Sequence, residues 1–244
     1  MTAAAKRSPA SRMDFAQDGD AVLVSVAGVD CRLRASGALW LEAERTLVIA
    51  DLHLEKGSAY AARGQLLPPY DTRDGLQRLE IEIAALDPRL IVFLGDAFHD
   101  ARAEARLARE DAEALRRLAH GRSLIWVLGN HDPLPPEGLP GDAIEAFVCT
   151  GLDLRHEPVP GPVLAEAAGH LHPCARVVAG GRSVRRRCFV TDGERLILPA
   201  FGAYAGGLNL RDVAFQGMFR GPPLAVVLGR SRAYAVAYRS TVGD

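Results

Sequence analysis

The sequence predicts an α/β fold of two sheets packed face to face, flanked by helices. Three observations predict it. The first half alternates apolar, strand-like runs with segments of helical period. The second half is a series of short strand-like runs separated by Gly, Pro or Asp. No linker divides the halves and no internal repeat is present, so residues 14–244 read as one domain behind a short tail, residues 1–13. At 244 residues, 48% hydrophobic and 24% charged, the chain has the length and composition to bury a sizeable core.

The elements follow in order. The opening "MTAAAKRSPASR" is small and basic and lacks the apolar stretch of a signal peptide, so it reads as a disordered tail on a cytoplasmic protein. "AVLVSV", "CRLRA" and "GALWL" are short strands, and "TLVIA" is a continuous apolar run of the buried-strand kind. A helix is expected from Thr72 to Leu86, with Leu76, Leu79, Ile83 and Leu86 at helical spacing and Pro88 just past its end. "RLIVFL" is the next buried strand. A charged helix from about Glu104 to Ala119 can turn Leu107, Leu115 and Leu118 inward, and "SLIWVL" is the third buried strand. Strand, helix, strand, helix, strand is the pattern of a parallel sheet with helices packed on it. Beyond it, "IEAFV", "LDLRH", "VLAEAA", "ARVVA", "VRRRCFV" and "RLILPA" are short strands, and "LAVVLG" with "RAYAVAY" makes a closing hairpin.

Charge and cysteine content narrow the classes. No run approaches the roughly 18 apolar residues of a membrane span. Cys31, Cys149, Cys174 and Cys188 are scattered without a CxxC pair and read as reduced thiols in or near a core. The net charge is −1, which by itself points to no nucleic-acid partner. Its distribution is uneven: from Leu171 onward there are 11 arginines against 4 acidic residues, +7, so the preceding part carries −8. This asymmetry reads either as an anion-facing surface or as arginines spread over unrelated faces.

The three buried strands end in unusual residues. The first runs into "ADLHLEKG" with Asp51 and His53, the second into "LGDAFHD" with Asp96, the third into "LGNHDP" with Asn130 and His131. In a parallel sheet these ends share one edge, where open α/β sheets place ligands. Asp51 and His53 are two apart, so on a strand both would project to the same side. His170 and His172 in "AGHLHP" share that spacing, and His156 in "LDLRHEP" lies between. Four of the seven histidines thus fall in short motifs after apolar runs. Carboxylates, imidazoles and one amide, without cysteine, suit two divalent transition metals such as manganese, iron or zinc.

The motifs D-x-H, GD, GNHD and GHxH, in that order, resemble those of the calcineurin-like metallophosphoesterases. "ADLHLEKGSAYAARGQLLPPYDT", "GHLHPCARVVAGGRSVRRRCFV" and "LPAFGAYAGGLNLRD" further resemble the ligase-associated DNA-damage-response endonucleases of that superfamily. The likeness runs from about Ile49 to Asp212. It implies an αββα sandwich and two divalent ions, manganese favoured. Asp51, His53 and His172 would hold one ion, Asn130, His156 and His170 the other, and Asp96 would bridge them. His131 would be the catalytic imidazole that binds no metal. The chain departs from the superfamily three positions after the bridging carboxylate, where it has His99.

Around these motifs, Tyr60, Arg63 and Tyr70 read either as a substrate cleft or as surface loop, and Tyr204 among Gly202, Gly206 and Gly207 as a tight loop beside the metals. Strand alternation would put Arg185 and Arg187 on one face, as candidate phosphate contacts, and Arg186 on the other. The expected activity is phosphodiester hydrolysis in nucleic acid, with DNA repair, and repair ligase or helicase partners, implied by the resemblance. The alternatives are a phosphatase or phosphodiesterase for a small nucleotide-like substrate, and a non-catalytic scaffold.

Overall fold

The computed structural model describes residues 14–244; the expected tail, residues 1–13, lies outside them. The first sheet is built in chain order from β1 (Phe15–Asp18), β2 (Ala21–Val26), β3 (Val29–Leu33), β4 (Leu39–Leu41), β5 (Thr46–Ile49), β6 (Leu90–Leu94), β7 (Ser123–Val127) and β8 (Asp142–Ile144). β1 to β5 pair antiparallel through short turns. From β5 to β8 the pairing is parallel, as the alternation of buried strands with helices requires. Helices α1 (Lys56–Ala61) and α2 (Asp71–Leu86) connect β5 to β6, and α3 (Ala103–Arg106) and α4 (Arg109–Leu118) connect β6 to β7.

The second sheet contains β9 (Ala146–Cys149), β10 (Leu152–Arg155), β11 (Glu166–Ala168), β12 (Cys174–Ala179), β13 (Arg182–Thr191), β14 (Arg195–Ile197), β15 (Leu224–Leu228), β16 (Ala233–Ala237) and β17 (Thr241–Val242). Its order is β16-β15-β13-β14-β11-β10-β9, with β10, β11 and β14 mutually parallel. The long β13 serves two neighbourhoods. Residues 188–191 pair with β15, and the last two of them with β14 on the other side. Residues 182–187 pair only with β12, so among the described residues their other edge is open.

Two cores hold these layers. Between the sheets, Val22, Leu33, Val48, Val92 and Leu94 of the first meet Leu154, Ala167, Phe189, Leu196 and Val226 of the second. On the outer face of the first sheet, Leu47, Ile49, Ile91, Phe93 and Trp126 meet Leu76 and Leu79 of α2 and Leu115 and Leu118 of α4. Phe93 and Trp126 stack with ring centroids 4.1 Å apart. Each such side chain contributes about 1.5–3 kcal/mol of burial free energy. The outer face of the second sheet is covered differently: Leu210, Phe215 and Met218, from a segment holding a single 3-10 turn, pack on Val190, Ile197 and Ala225. The αββα sandwich therefore has its α-helices on one outer face among the described residues.

One helical expectation is revised. The helix expected over 104–119 is broken at Leu107 and Ala108, whose ψ angles of 130° and 145° are extended. The break follows from what Arg106 does. Its guanidinium donates to both oxygens of Asp100 and to Ser58 Oγ, which ties the first turn to the loop after β6 and to α1. The loop after β5 contains one short helix, Lys56–Ala61.

Candidate metal centre

The carboxyl ends of β5, β6 and β7 lie on one sheet edge, and backbone bonds join their loops beyond the strands. His53 N–H donates to Asp96 O at 2.9 Å and Leu54 N–H to Ala97 O at 2.9 Å. The second sheet brings its parallel pair to the same edge: β10 ends one residue before His156, β11 ends at Ala168, and Gly169 N–H donates to His156 O at 3.0 Å. The site therefore sits at a rim shared by both sheets.

The side chains are not aimed by strand alternation, as the D-x-H and H-x-H spacing suggests. Asp51, His53, Asp96, His170 and His172 all follow strand ends and all have left-handed backbone, with φ between 46° and 67°. Such conformations cost about 1–3 kcal/mol each in non-glycine residues and persist where the surroundings over-determine them. Glycines clear the space. A Cβ on Gly95 would overlap the His156 ring, and one on Gly129 would overlap the amide and carboxylate of Asp96. The glycine in "GD" admits a histidine from the opposite sheet, and the glycine in "GN" admits the aspartate.

Donor atoms converge in two groups. In one, Asp51 Oδ1 lies 3.2 Å from His172 Nε2, which lies 3.2 Å from His53 Nε2. In the other, Asn130 Oδ1 lies 2.9 Å from His156 Nε2 and 3.0 Å from His170 Nδ1, and the two nitrogens are 3.2 Å apart. Asp96 Oδ2 sits between the groups, 4.0 Å from His53 Nε2 and 3.4 Å from His156 Nε2. Donors about 2.1 Å from a cation at right angles stand about 3 Å apart, so the spacing fits.

The chemistry of the donors also fits a cation. Asp51 is 0% and Asp96 2% exposed, and among the described residues neither pairs with a lysine or arginine, which buried carboxylates require. His156 Nδ1 faces the Leu94 carbonyl at 3.3 Å; a carbonyl only accepts, so this nitrogen carries the proton and Nε2 is the atom that faces Asn130 Oδ1. Two acceptors facing each other need a proton or a metal between them. Without metal the proton supplies this: burial opposes the charged ring, yet hydrogen bonding to Asp96 and the Asp51 charge raise His156 to about 9. Asp96 answers in kind, since burial would raise it, but the bond and charge of His156 and the His131 N–H bring it to about 2. Burial, then the His172 charge, holds His53 down to about 3, and its buried Nδ1 has no hydrogen-bond partner.

His131 is placed differently. Its side chain is 41% exposed, its Nδ1 donates to the His99 carbonyl at 2.8 Å, and its Nε2 stands 4.0 Å from Asp96 Oδ2. The ring is thus anchored from behind and presents Nε2 at the mouth of the cluster. His99 is the neighbour that motif reading left without a role. Its ring lies 5.5 Å from that of His131 and 5.9 Å from that of His53, and these three rings could also gather around an ion. Asp132 clamps the turn, with Oδ1 accepting from Asp96 N–H and Gly129 N–H and Oδ2 from Phe98 N–H. Burial pushes its carboxyl up to about 6 in spite of these bonds.

The arginines and tyrosine singled out from the sequence stand around this cluster rather than in it. Arg187 donates to the carbonyls of Ala200, Phe201, Ala203 and Ala205, and Arg185 to Gly207 O and Asp244. Both hold the segment 200–207. Tyr204 OH donates to Pro68 O at 2.7 Å, tying that segment to the loop before α2. Arg63 is exposed after α1, near enough to His99 to disfavour its charged form. Arg185 and Arg187 thus address one segment, while Arg186 donates to Arg185 O and borders the same cavity.

Comparison with known proteins shows the family. The family model described as calcineurin-like phosphoesterase matches residues 44–175, more than half of the chain. Among solved structures, the crystal structure of Pseudomonas putida nuclease MPE superposes with a TM-score of 0.69 at 29% identity, covering 88% of this chain and 100% of that one. The E. coli phosphoesterase Yfce superposes at 0.38 with 14% identity, covering 79% and 98%. No curated protein matches. The family binds two divalent metals, and this chain carries Asp and His clusters that could hold metal, so the chain belongs to the calcineurin-like phosphoesterases and is a metal-dependent phosphoesterase.

Proposed function

We propose that this enzyme hydrolyses phosphodiester bonds in nucleic acid, as a DNA-repair endonuclease that uses two manganese ions and acts in the cytoplasm. Asp51, His53 and His172 would hold one ion and Asn130, His156 and His170 the other, with Asp96 shared between the two groups. The observation that carries the assignment is the pair of donor groups, in which neighbouring donors stand 2.9–3.2 Å apart, with Asp96 Oδ2 between them. The nucleic-acid substrate is supported by the nuclease found among the structural neighbours and by the arginine-rich second half. Partner ligases or helicases belong to the same reading, as does a single folded domain over residues 14–244. No helix among the described residues is long and apolar enough to cross a membrane.

When bound, the two ions neutralise charge on the phosphate and make an attacking water acidic enough to react near neutral pH. The chain's own groups do the rest. Leu94 O orients His156, and the Asp132 clamp fixes Asp96 relative to the loop carrying Asn130 and His131. His131, held at Nδ1 by the His99 carbonyl, keeps Nε2 directed at the substrate side. There it stabilises charge on the departing oxygen or delivers a proton to it.

The test is hydrolysis by manganese-loaded protein of circular single-stranded DNA, circular duplex DNA and a panel of mononucleotides and cyclic nucleotides. Cleavage of closed circles, which only an endonuclease can open, is expected. Turnover confined to small nucleotides would overturn the reading.

A further inference from the structure

A cavity of about 630 Å³ opens where Arg78, Arg185, Arg186, Arg187 and Arg230 converge, and Cys174, two residues after His172, also lines it. It uses the open edge of β13. Segment 200–207 connects it to the centre. Phe201 N–H and Gly202 N–H donate to Ala50 O and Asp51 O, while Ala205 and Gly206 line the cavity. Its arginine wall and the metal cluster are thus one segment apart.

The charges in it do not cancel. Glu82 and Asp20 also line it, but both accept from Arg34, Glu82 at 2.7 Å and Asp20 at 3.0 Å. Arg78 pairs with Asp74 and Arg185 with Asp244. Arg187 spends its donors on backbone carbonyls, which supply no countercharge. Among the described residues, Arg186 and Arg230 have no carboxylate partner, and both are exposed. Arg186, Arg187 and Arg230 thus stand against the one carboxylate charge that Arg34 leaves over, a net of two positive charges in one concavity, an arrangement that raises the local concentration of anions and suits phosphate above all.

We propose that this cavity is a second phosphate-binding subsite, which takes the polynucleotide strand flanking the bond held at the metals. Arg186 and Arg230 reach the phosphates, while Arg187 adds charge and keeps the shared wall in place. The proposal rests on the nucleic-acid reading above. It assigns specificity for long substrates over small ones to residues that do not belong to the metal centre.

The experiment compares wild type with the double variant Arg186→Ala/Arg230→Ala, both loaded with manganese, on a single-stranded oligonucleotide and on bis(p-nitrophenyl) phosphate. The subsite predicts a raised KM for the oligonucleotide, and a log–log salt dependence of binding shallower by about 1.4 for two lost single-strand phosphate contacts. It also predicts an unchanged rate on the small diester. The variant Arg186→Lys/Arg230→Lys should recover the salt slope, because a point charge serves as well for counterion release. If wild type cleaves the oligonucleotide and the alanine variant matches it in KM and slope, the subsite is overturned while the nucleic-acid reading stands. If wild type cleaves only the small diester, both fall.

Discussion

At the scale of single residues, the proposed division of labour separates two histidines that share the same rim. His170 Nδ1 stands 3.0 Å from Asn130 Oδ1 within a converging donor group, whereas His131 offers Nε2 from a ring anchored on a carbonyl. His131→Ala is expected to keep its metals and lose turnover by about 10²–10⁴-fold, the worth of a positioned acid–base group. His170→Ala is expected to lose metal. Elemental analysis beside kcat separates the two, and equal metal loss would show that His131 is itself a ligand. The donors were legible in the sequence because charged and imidazole groups straight after apolar runs have no place in a core. The rule that paired them, strand alternation, is not how the chain aims them: five left-handed residues do that, and no spacing announces them. The work of Arg185 and Arg187 was illegible for a related reason, since their acceptors are mostly backbone carbonyls that every residue carries.

At the scale of elements, β11 shows how a buried ion pair supports the centre at a distance. Arg195 on β14 is 0% exposed, and its Nε lies 2.7 Å from Glu166 Oε1 on β11, off the hydrogen-bonding angle. Its other nitrogens donate to Met218 O and Val159 O. The two residues are register partners in the parallel pairing, four positions before His170. Arg195→Leu would leave the buried Glu166 carboxylate with the Val159 N–H at 3.0 Å and, as countercharge among the described residues, Arg155 at 3.7 Å, and is expected to cost about 3–5 kcal/mol. Denaturant unfolding measures that loss, and a metal titration should show weaker binding as β11 loosens. Sequence periodicity found β5 to β7, α2 and the closing hairpin. It missed the break at Leu107 because Arg106 answers to Asp100 and Ser58, contacts that lie outside its own helix.

At the scale of the whole molecule, the two sheets meet twice, through an apolar interior and through a polar rim. Burial alone secures the first. In the second, carboxylates and imidazoles crowd together and, among the described residues, no lysine or arginine pairs with Asp51 or Asp96, so the native state should be stabilised by whatever cation it binds. At a hundredfold excess of metal over Kd, one ion adds about 2.7 kcal/mol, which for a chain of this size raises Tm by about 5–11 °C. A thermal melt with manganese and then with excess chelator measures the difference, and coincident curves would mean the rim is stable empty. Which outer face receives the helices was not legible in the sequence. Both sheets have an apolar outer face, and only the tertiary structure shows Leu210, Phe215 and Met218 doing for the second what α2 and α4 do for the first.

The rim also bears on how divisible the chain is. Asp51 and His53 come from one sheet and His172 from the other; Asn130 comes from the first and His156 and His170 from the second. Neither sheet alone carries the full donor group of either proposed ion. A fragment ending after β8 would keep the three parallel strands, their helices and every motif up to "GNHD", yet hold half a claim on each ion. Two inactive halves, cut in the turn between β8 and β9, would then regain hydrolysis only by docking, so that metal-dependent turnover would report the union of the sheets.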